Sequence, residues 1–377
     1  MAKPTRVGCI DFWRGCVLVA ILIDHIPGNL LEWSTPRNFG LSDSSEAFVF
    51  LSGLSVGMVY APRAGAQGLA SVALGCVRRA LKLYGVHVAI TLAALVIFAV
   101  AYKMSGVDDL VEAHGRALVF ANPASGLASV ALLSHQLGYF NILPMYIVLM
   151  LWAPIALGLA MRSVGMTFLT SAGVYAASRA GLHLPNWPDP GGWFFNPFAW
   201  QLVFTMGVIS AVLWGRKPPQ PRPGLVLASA AAILACALTV TGAAGLAPSL
   251  RDTVFAHLDL AKQDLGLARL VHFAALAYLL ATAPRLAGLI ESRFGRAVQG
   301  LGRHGLPVFA VGSLLSAFGQ AAISAMSPYT SVGVEHFAGF AYTLVGVASL
   351  FVLVRRIECR SFQTSRAVPL SPPAQAA

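Results

Sequence analysis

The chain has 377 residues, of which 57% are hydrophobic and only 11% charged, and its mean hydropathy is +0.71. This composition excludes an ordinary soluble globular domain, in which about 25% of the residues are charged. The net charge of +11 is compatible with nucleic acid or anionic lipid as a partner. In a membrane protein, however, the location of the charges is more informative than their sum, so we expect a lipid bilayer and no nucleic acid as the partner.

Long apolar runs separated by short polar breaks predict an all-α fold, a polytopic membrane helix bundle. A helix needs roughly 20 mostly apolar residues to cross a hydrocarbon core of about 30 Å. The alternation over about 10 residues that is typical of barrel strands is absent. The predicted transmembrane helices, about ten in number, are 9–31, 44–62, 76–102, 140–161, 164–182, 197–214, 224–244, 266–283, 304–325 and 334–354.

The distribution of charges between loops predicts the orientation of these spans. Loops on the side of the N-terminus carry most of the 26 Lys and Arg residues and only Glu291 and Glu358 as acids. By the positive-inside rule, both termini are predicted to be cytoplasmic. We expect a transmembrane domain over 1–360, with span 9–31 acting as an uncleaved signal anchor, and a disordered tail over 361–377. The five cysteines form no CxxC pair, so we expect neither a disulfide framework nor a metal site.

Two sets of polar residues within or beside the spans need partners. Asp11 and Arg14 are three residues apart near the inner end of the first span and are predicted to pair. A moderately amphipathic piece near 116–133 is predicted either to lie in the outer interface or to re-enter the bundle. The polar residues near the outer ends of spans are Asp24, His25, Asp43, Glu46, Asn141, Gln201, Lys262, Arg269, His272, Glu335 and His336. Together they predict a shared, hydrated cavity that faces outward.

For any one such residue, an interfacial location without a function is the simpler interpretation. Arg269 is harder to explain in this way, because an Arg inside a membrane helix needs an anionic partner, such as Asp24, Asp43, Glu46 or the carboxylate of a bound ligand. His25 lies about 24 Å along the first helix, counted from Cys9. A neutral imidazole near water and near a carboxylate is suited to act as a general base. Because consecutive helical residues point about 100° apart, the carboxylate is Asp24, Asp43 or Glu46.

Seven stretches of this sequence together resemble the OpgC family over about residues 6–355. They are IDFWRG at 10–15, IDHIPGN at 23–29, TPRNFGLSDSSEAFVFLSG at 35–53, NILPMYIVLM at 141–150, FNPFAWQ at 195–201, KQDLGLARLVHFAAL at 262–276 and LGRHGLPVF at 301–309. This family is similar to the acyltransferase-3 type of integral-membrane acyltransferases. The resemblance implies an inner-membrane enzyme that moves a succinyl group from cytosolic succinyl-CoA, an acyl-CoA, to osmoregulated periplasmic glucans.

The resemblance also implies roles for individual residues. His25 matches the expected catalytic base on the first span, and Asp24, Asn38, Asp43 and Glu46 fall within the same motifs. We therefore assign His25, Asp24 and Glu46 to catalysis. The residues assigned to substrate binding are Arg37, Asn38, Asp43, Asn141, Gln201, Arg269 and His272.

The chemistry of the substrates agrees with this arrangement. Thioester donors are made in the cytoplasm and glycans lie outside, so the pantetheine arm of the donor has to pass through the bundle. Arg78, Arg79 and Arg303 on the inner side are candidates to bind its phosphates, unless they only fix the topology. A succinyl carboxylate requires a cation, either Arg269 or Arg37, and the oxyanion donor is Asn141, Gln201 or a backbone amide. A transporter for a small anion and a non-catalytic scaffold are the alternative functions.

Overall fold

The computed structural model of the protein describes residues 8–215, 220–242, 248–283 and 286–366. Within these ranges the chain is helical and contains no β-strand. Its helices are α1 Gly8–Asp24, α2 Ser44–Ser105, α3 Asp109–Glu112, α4 Arg116–Ala121, α5 Pro123–Ala131, α6 Ile142–Arg162, α7 Val164–Arg179, α8 Pro197–Trp214, α9 Pro223–Ala237, α10 Pro248–His257, α11 Leu267–Thr282, α12 Leu286–Glu291, α13 Arg293–Arg303, α14 Gly305–Met326 and α15 Val332–Arg366.

Six of the described helices are long and apolar enough to cross a membrane. They are α2, α6, α8, α9 with its extension to Val240, α14 and α15. The prediction of an all-α, multi-pass membrane protein is thereby confirmed. The count of about ten spans and the cytoplasmic location of both termini stay predictions.

Several predicted boundaries differ from the helices of the structure. The predicted spans 44–62 and 76–102 belong to the single 62-residue stretch α2, which is interrupted only where Gly68 adopts φ 78° and ψ 164°. Helix α1 ends at Asp24 rather than at 31, and α11 has only 16 residues. Helix α15 continues to Arg366, beyond the domain boundary predicted at 360. The rest of the predicted tail lies outside the described residues.

Small residues allow α2 to pack closely against α8. A Cβ atom added at Gly53 would collide with the backbone of Phe204, and one added at Gly207 would collide with the backbone carbonyl of Phe50. Gly57 lies against Ala211 in the same way. Lipid provides little hydrophobic driving force between helices, so close contact between backbones is a main source of helix association in membranes.

Helix α1 packs against α13 through the same kind of contact. Gly302 of α13 lies against the backbone of Asp11, so no side chain fits between the two helices at this point. The predicted pair of Asp11 and Arg14 is confirmed, with 3.2 Å between Oδ1 and Nη1. Arg14 also donates to the carbonyl of Gly302 at 3.2 Å and to the hydroxyl of Ser55, so its guanidinium joins α1, α2 and α13.

The segment after α2 folds back along that helix. The hydroxyl of Tyr84 donates to the carbonyl of Ala131 at 2.9 Å, and the guanidinium of Arg116 lies 4.0 Å from the ring centroid of Phe98. The end of this segment is joined to its beginning by a hydrogen bond, which the amide of Gly138 donates to the carbonyl of His114 at 2.8 Å. These contacts bring His114 to the same end of the bundle as the C-terminus of α1.

We expect Gly207→Ala to lower the apparent melting temperature of the detergent-solubilised protein. The added methyl group has to displace the backbone of α2, and overpacking of this kind typically costs about 1–3 kcal/mol. Gly173→Ala, in the exposed face of α7 with no atom within 4 Å of the added Cβ, is the matched control and should not lower the melting temperature, because Ala is the better helix former. Equal melting temperatures for the two variants would contradict the proposed packing. Tryptophan fluorescence during heating provides the measurement.

Candidate active site

The stretch 23–29 forms the end of α1 and the turn that follows it. The side-chain amide of Asn29 donates to the carbonyls of Ile23 and Ile26 at 2.9 and 2.6 Å, so it satisfies acceptors that the ending helix leaves free. Pro27 cannot continue the helix, and Gly28 adopts φ 69°. The turn fixes the position of His25, whose carbonyl accepts a hydrogen bond from Gln320 of α14 at 2.9 Å.

A polar cavity of about 550 Å³ lies beside this turn, and we call it the His25 cavity. Its lining residues come from the end of α1, the start of α2, the segment before α6 and the loops before α8 and α11. They are Ile21, Asp24, His25, Arg37, Asp43, Ser44, Ser45, His114, Gly138, Tyr139, Asn141, Ile142, Phe194, Phe195, Lys262 and Arg269. Predicted site residues from distant parts of the sequence thus share one cavity.

An ion cluster forms one wall of the His25 cavity. The guanidinium of Arg269 contacts Glu46 Oε1 at 2.6 Å and Asp43 Oδ2 at 3.2 Å, and Lys262 Nζ lies 2.5 Å from the same oxygen of Asp43. Glu46 is fully buried, and the side chain of Arg269 is only 11% exposed. The two carboxylates also form a capping box at the start of α2, because Asp43 accepts from the amide of Ser45 and Glu46 accepts from the amide of Asp43.

The loop that carries Lys262 is held in place by the start of α8. The indole of Trp200 donates to the carbonyl of Lys262 at 3.1 Å, and the side-chain amide of Asn196 donates to Asp264 at 2.9 Å. Asn196 also caps α8 through the amide of Phe198. Apart from Phe195, which lines the cavity, the FNPFAWQ stretch therefore acts indirectly, by positioning the cations that face Asp43 and Glu46.

The imidazole of His25 faces the cavity and packs against Tyr139, with 4.7 Å between the ring centroids. It makes no side-chain hydrogen bond with any of the residues that the structure describes. The carboxylates predicted to orient it have other partners: Asp24 accepts a hydrogen bond from the hydroxyl of Thr35 at 2.6 Å, whereas Asp43 and Glu46 bind Arg269. Asp24 and Asp43 nevertheless line the same cavity as His25.

The other predicted substrate-binding residues divide into two groups. Arg37 and Asn141 line the His25 cavity, and neither side chain has a hydrogen bond or ion pair within the described part of the chain. Asn38, Gln201 and His272 do not line it. The Asn38 amide donates to the carbonyl of Glu32, the Gln201 amide donates to the carbonyl of Ser171, and the His272 ring bonds the hydroxyl of Ser42. These three residues therefore support local structure.

The first half of α2 begins at the His25 cavity, and a second polar cavity, of about 540 Å³, lies farther along it. We call this second cavity the Arg79 cavity. Its lining includes Arg14, Arg79, Lys82, Arg303 and His304, whereas Arg78 is exposed outside it. Arg303 binds Glu358 at 2.8 Å. Arg79 and Lys82 make no ion pair with any described residue, so their charges are available to an anionic ligand.

Three aromatic rings form a cluster in the wall of the Arg79 cavity. Phe48 lies one helical turn beyond Ser44 and packs against Tyr146 and Phe309, at centroid distances of 6.0 and 5.8 Å. All three residues line the Arg79 cavity, while Ser44 lines the His25 cavity. Between Ser44 and Tyr60, α2 rises by about 24 Å, which is most of the thickness of a hydrocarbon core.

Sequence reasoning missed several residues of the His25 cavity. His114, Tyr139, Phe194 and Phe195 were not identified, because they lie in connecting segments with no helical periodicity. The only local signal is the glycine that follows His114 and the one that precedes Tyr139. Among the described residues, no group of three or more His, Cys, Asp or Glu side chains lies together in a way that would hold a metal ion.

We expect Arg269→Gln to destabilise the protein strongly. The change leaves Asp43 and the fully buried Glu46 without this counter-ion, and removing one partner of a buried pair typically costs about 3–5 kcal/mol. The matched control is Arg179→Gln, which breaks the more exposed pair with Asp259 and should cost at most about 1 kcal/mol. Adding Glu46→Gln to Arg269→Gln should restore part of the melting temperature. A melting temperature equal to that of the control would contradict the importance of the cluster.

Comparison with known proteins gives one match. A family model described as OpgC protein matches residues 6–361, nearly the whole chain, as the resemblance of the sequence motifs had predicted. No curated protein and no solved structure matches the chain. The chain therefore belongs to the OpgC family, and this membership implies a glucan-modifying acyltransferase.

Proposed function

We propose that the protein transfers an acyl group, succinyl in particular, from a cytosolic acyl-CoA to a hydroxyl group of a periplasmic glucan, and that His25 is the general base. The observation that carries this proposal is the imidazole of His25, which faces a polar cavity and has no side-chain hydrogen bond within the described part of the chain. A neutral imidazole in this setting is able to take a proton from a bound hydroxyl group. The protein would act in the bacterial inner membrane.

In the proposed reaction, the proton taken from the hydroxyl group ends on the sulfur of the thioester donor. As His25 takes the proton, the hydroxyl oxygen bonds to the carbonyl carbon of the thioester, and the carbon–sulfur bond then breaks. The thiolate of CoA leaves and receives the proton, so the products are an ester and free CoA. The carboxylate of Asp24 lines the same cavity, makes no ion pair with a described residue, and would favour the imidazolium that forms transiently. Its role would be electrostatic, because it does not hydrogen-bond to the ring, whereas the charge of Asp43 is offset by Arg269 and Lys262.

The amide of Asn141 is the best placed of the predicted side-chain donors for the developing oxyanion. It lies in the His25 cavity without a hydrogen-bond partner among the described residues, whereas Gln201 is bound to Ser171. A donor of this type stabilises the negative charge that forms on the carbonyl oxygen. We assign this role to Asn141 and a binding role to Arg37.

We propose that the Arg79 cavity binds the phosphate-bearing end of the acyl-CoA donor. Arg79 and Lys82 are free to bind phosphate groups, and both belong to the part of the chain predicted to face the cytoplasm. A pantetheine arm extending from these cations toward His25 would pass Phe48, Tyr146 and Phe309. Because aromatic rings can be displaced by rotation about χ1, we propose that this aromatic cluster opens when the donor binds and otherwise separates the two cavities.

We expect His25→Gln to lower the transfer of labelled succinyl groups to glucan by about 10²–10⁴-fold, which is the usual contribution of a general base. Membranes that contain the protein are incubated with labelled succinyl-CoA and glucan, and ester-linked label is counted. His183→Gln, in an exposed loop outside the cavity, is the control and should retain activity. Substantial transfer by a folded His25→Gln protein would rule out the proposed base. Movement of label across the membrane without esterification would instead identify a transporter.

Arg37 is the candidate that selects a dicarboxylic acyl group. Arg269, the other predicted cation, is already bound to Asp43 and Glu46, whereas the guanidinium of Arg37 faces the cavity without an ion pair among the described residues. A succinyl group carries a free carboxylate that requires such a cation in a partly desolvated site. An acetyl group has no such requirement.

We therefore expect Arg37→Met to raise the KM for succinyl-CoA by about 10- to 100-fold, because a hydrogen bond to a charged group contributes about 1.5–3 kcal/mol. The KM for acetyl-CoA, measured with the same preparation, is the internal control and should change little. Arg37→Lys, which keeps the charge, should recover part of the affinity for succinyl-CoA. Equal changes in the two KM values would mean that Arg37 does not recognise the acyl carboxylate.

A further inference from the structure

A second histidine lies in the same cavity as His25 and packs against the same aromatic ring. The ring centroid of His114 lies 4.9 Å from that of Tyr139, and the centroid of His25 lies 4.7 Å from it. All three residues line the His25 cavity. Nothing in the chemistry of the proposed base requires His114 or Tyr139, so their arrangement needs a separate explanation.

The backbone adopts unfavourable conformations to bring these rings together. His114 has φ 56° and Tyr139 has φ 70°, two of only four non-glycine residues in the described ranges with a positive φ. Residues other than glycine rarely adopt a positive φ, because their Cβ atom then comes too close to the neighbouring carbonyl oxygen. Conformations of this kind persist where the surrounding structure imposes them, and they concentrate at functional sites.

Specific hydrogen bonds impose these conformations. The amide of Gly138, next to Tyr139, donates to the carbonyl of His114 at 2.8 Å, and the ring of His135 bonds the carbonyl of Gly115 at 2.7 Å. The two strained residues are thus fixed relative to each other by neighbours on both sides. The side-chain nitrogens of His114 make no hydrogen bond within the described ranges, so they remain available to a ligand.

The chemistry of His114 suits a sugar hydroxyl group. Partial burial lowers the pKa of His114, and the nearby Arg116 lowers that pKa further, so both effects favour the neutral imidazole. A neutral imidazole offers one donor and one acceptor, which is what a hydroxyl group also offers. Phe194, which is 48% exposed and lines the same cavity, provides an apolar surface for the C–H face of a sugar ring.

We propose that His114 is an acceptor-binding residue, which hydrogen-bonds one hydroxyl group of a hexose while a second hydroxyl group of the same sugar meets His25. This inference rests on the proposed acyl transfer to glucan. Each imidazole packs against Tyr139, so their ring centroids are no farther apart than the sum of those two centroid distances, a separation that a single sugar residue can bridge through two of its hydroxyl groups. The shared contact with Tyr139 limits how far apart the two imidazoles lie. His114 therefore selects which hydroxyl group of the sugar is acylated.

The test compares the KM for glucan with the KM for acyl-CoA in His114→Phe. Phenylalanine preserves the ring contact with Tyr139 and removes both nitrogens, so we expect the KM for glucan to rise at least tenfold while the KM for acyl-CoA changes less than twofold. His114→Asn keeps a donor and an acceptor and should recover part of the affinity for glucan. His183→Phe, outside the cavity, serves as the matched control and should behave like the wild type.

Three outcomes would overturn the inference. A KM for glucan within twofold of the wild type in His114→Phe would remove the role of His114, and an equal rise of both KM values would show that its role is structural. If the wild-type protein transfers no acyl group to glucan, the proposed function fails as well. The last outcome is distinguishable from the first two, because only in those does the wild-type protein esterify glucan.

Discussion

The burial of Arg269 between Asp43 and Glu46 is the interaction on which the candidate site depends. Charges removed from water are tolerated only when their partners are close and well oriented, and here each carboxylate also caps the start of α2. Arg269 lies in the first turn of α11, so the cluster joins the beginnings of two helices that are far apart in the sequence. Any displacement of α11 would leave a carboxylate buried without its partner, and this cost fixes the shape of the His25 cavity.

The cluster also determines which polar groups remain available for a ligand. Arg269 and Lys262 neutralise Asp43 and Glu46, whereas His25, Arg37 and Asn141 face the same cavity with no hydrogen-bond partner for their side chains among the described residues. Polar groups that line a cavity without a protein partner are the ones to which water or a substrate can bind. The paired groups therefore hold the site in shape, and the unpaired groups are the ones available to a substrate.

The proposed reaction imposes a further constraint, because its donor and its acceptor would belong to different compartments. Close contacts at Gly53 and Gly207 hold α2 against α8, and the rings around Phe48 line the Arg79 cavity. An open passage through the bundle would leak ions, whereas a closed one would exclude the donor. For the proposed reaction, an aromatic cluster supplied by α2, α6 and α14 would satisfy both requirements, since its side chains can move without separating the helices.

Sequence alone determined the all-α membrane fold, the family and most of the polar residues near the site, because hydropathy and local motifs are properties of contiguous residues. It also determined the pair of Asp11 and Arg14, which are one helical turn apart. It left three carboxylates as equal candidates to orient His25, and it grouped Gln201 with Asn141 although only Asn141 lines the cavity. Sequence named Asp24, Asp43 and Glu46 as possible partners of Arg269, and tertiary structure decided that Asp43 and Glu46 bind it and that Tyr139 packs against both His25 and His114. Contacts between residues that are distant in the chain depend on helix packing and on strained loops, and neither leaves a periodic pattern in the sequence.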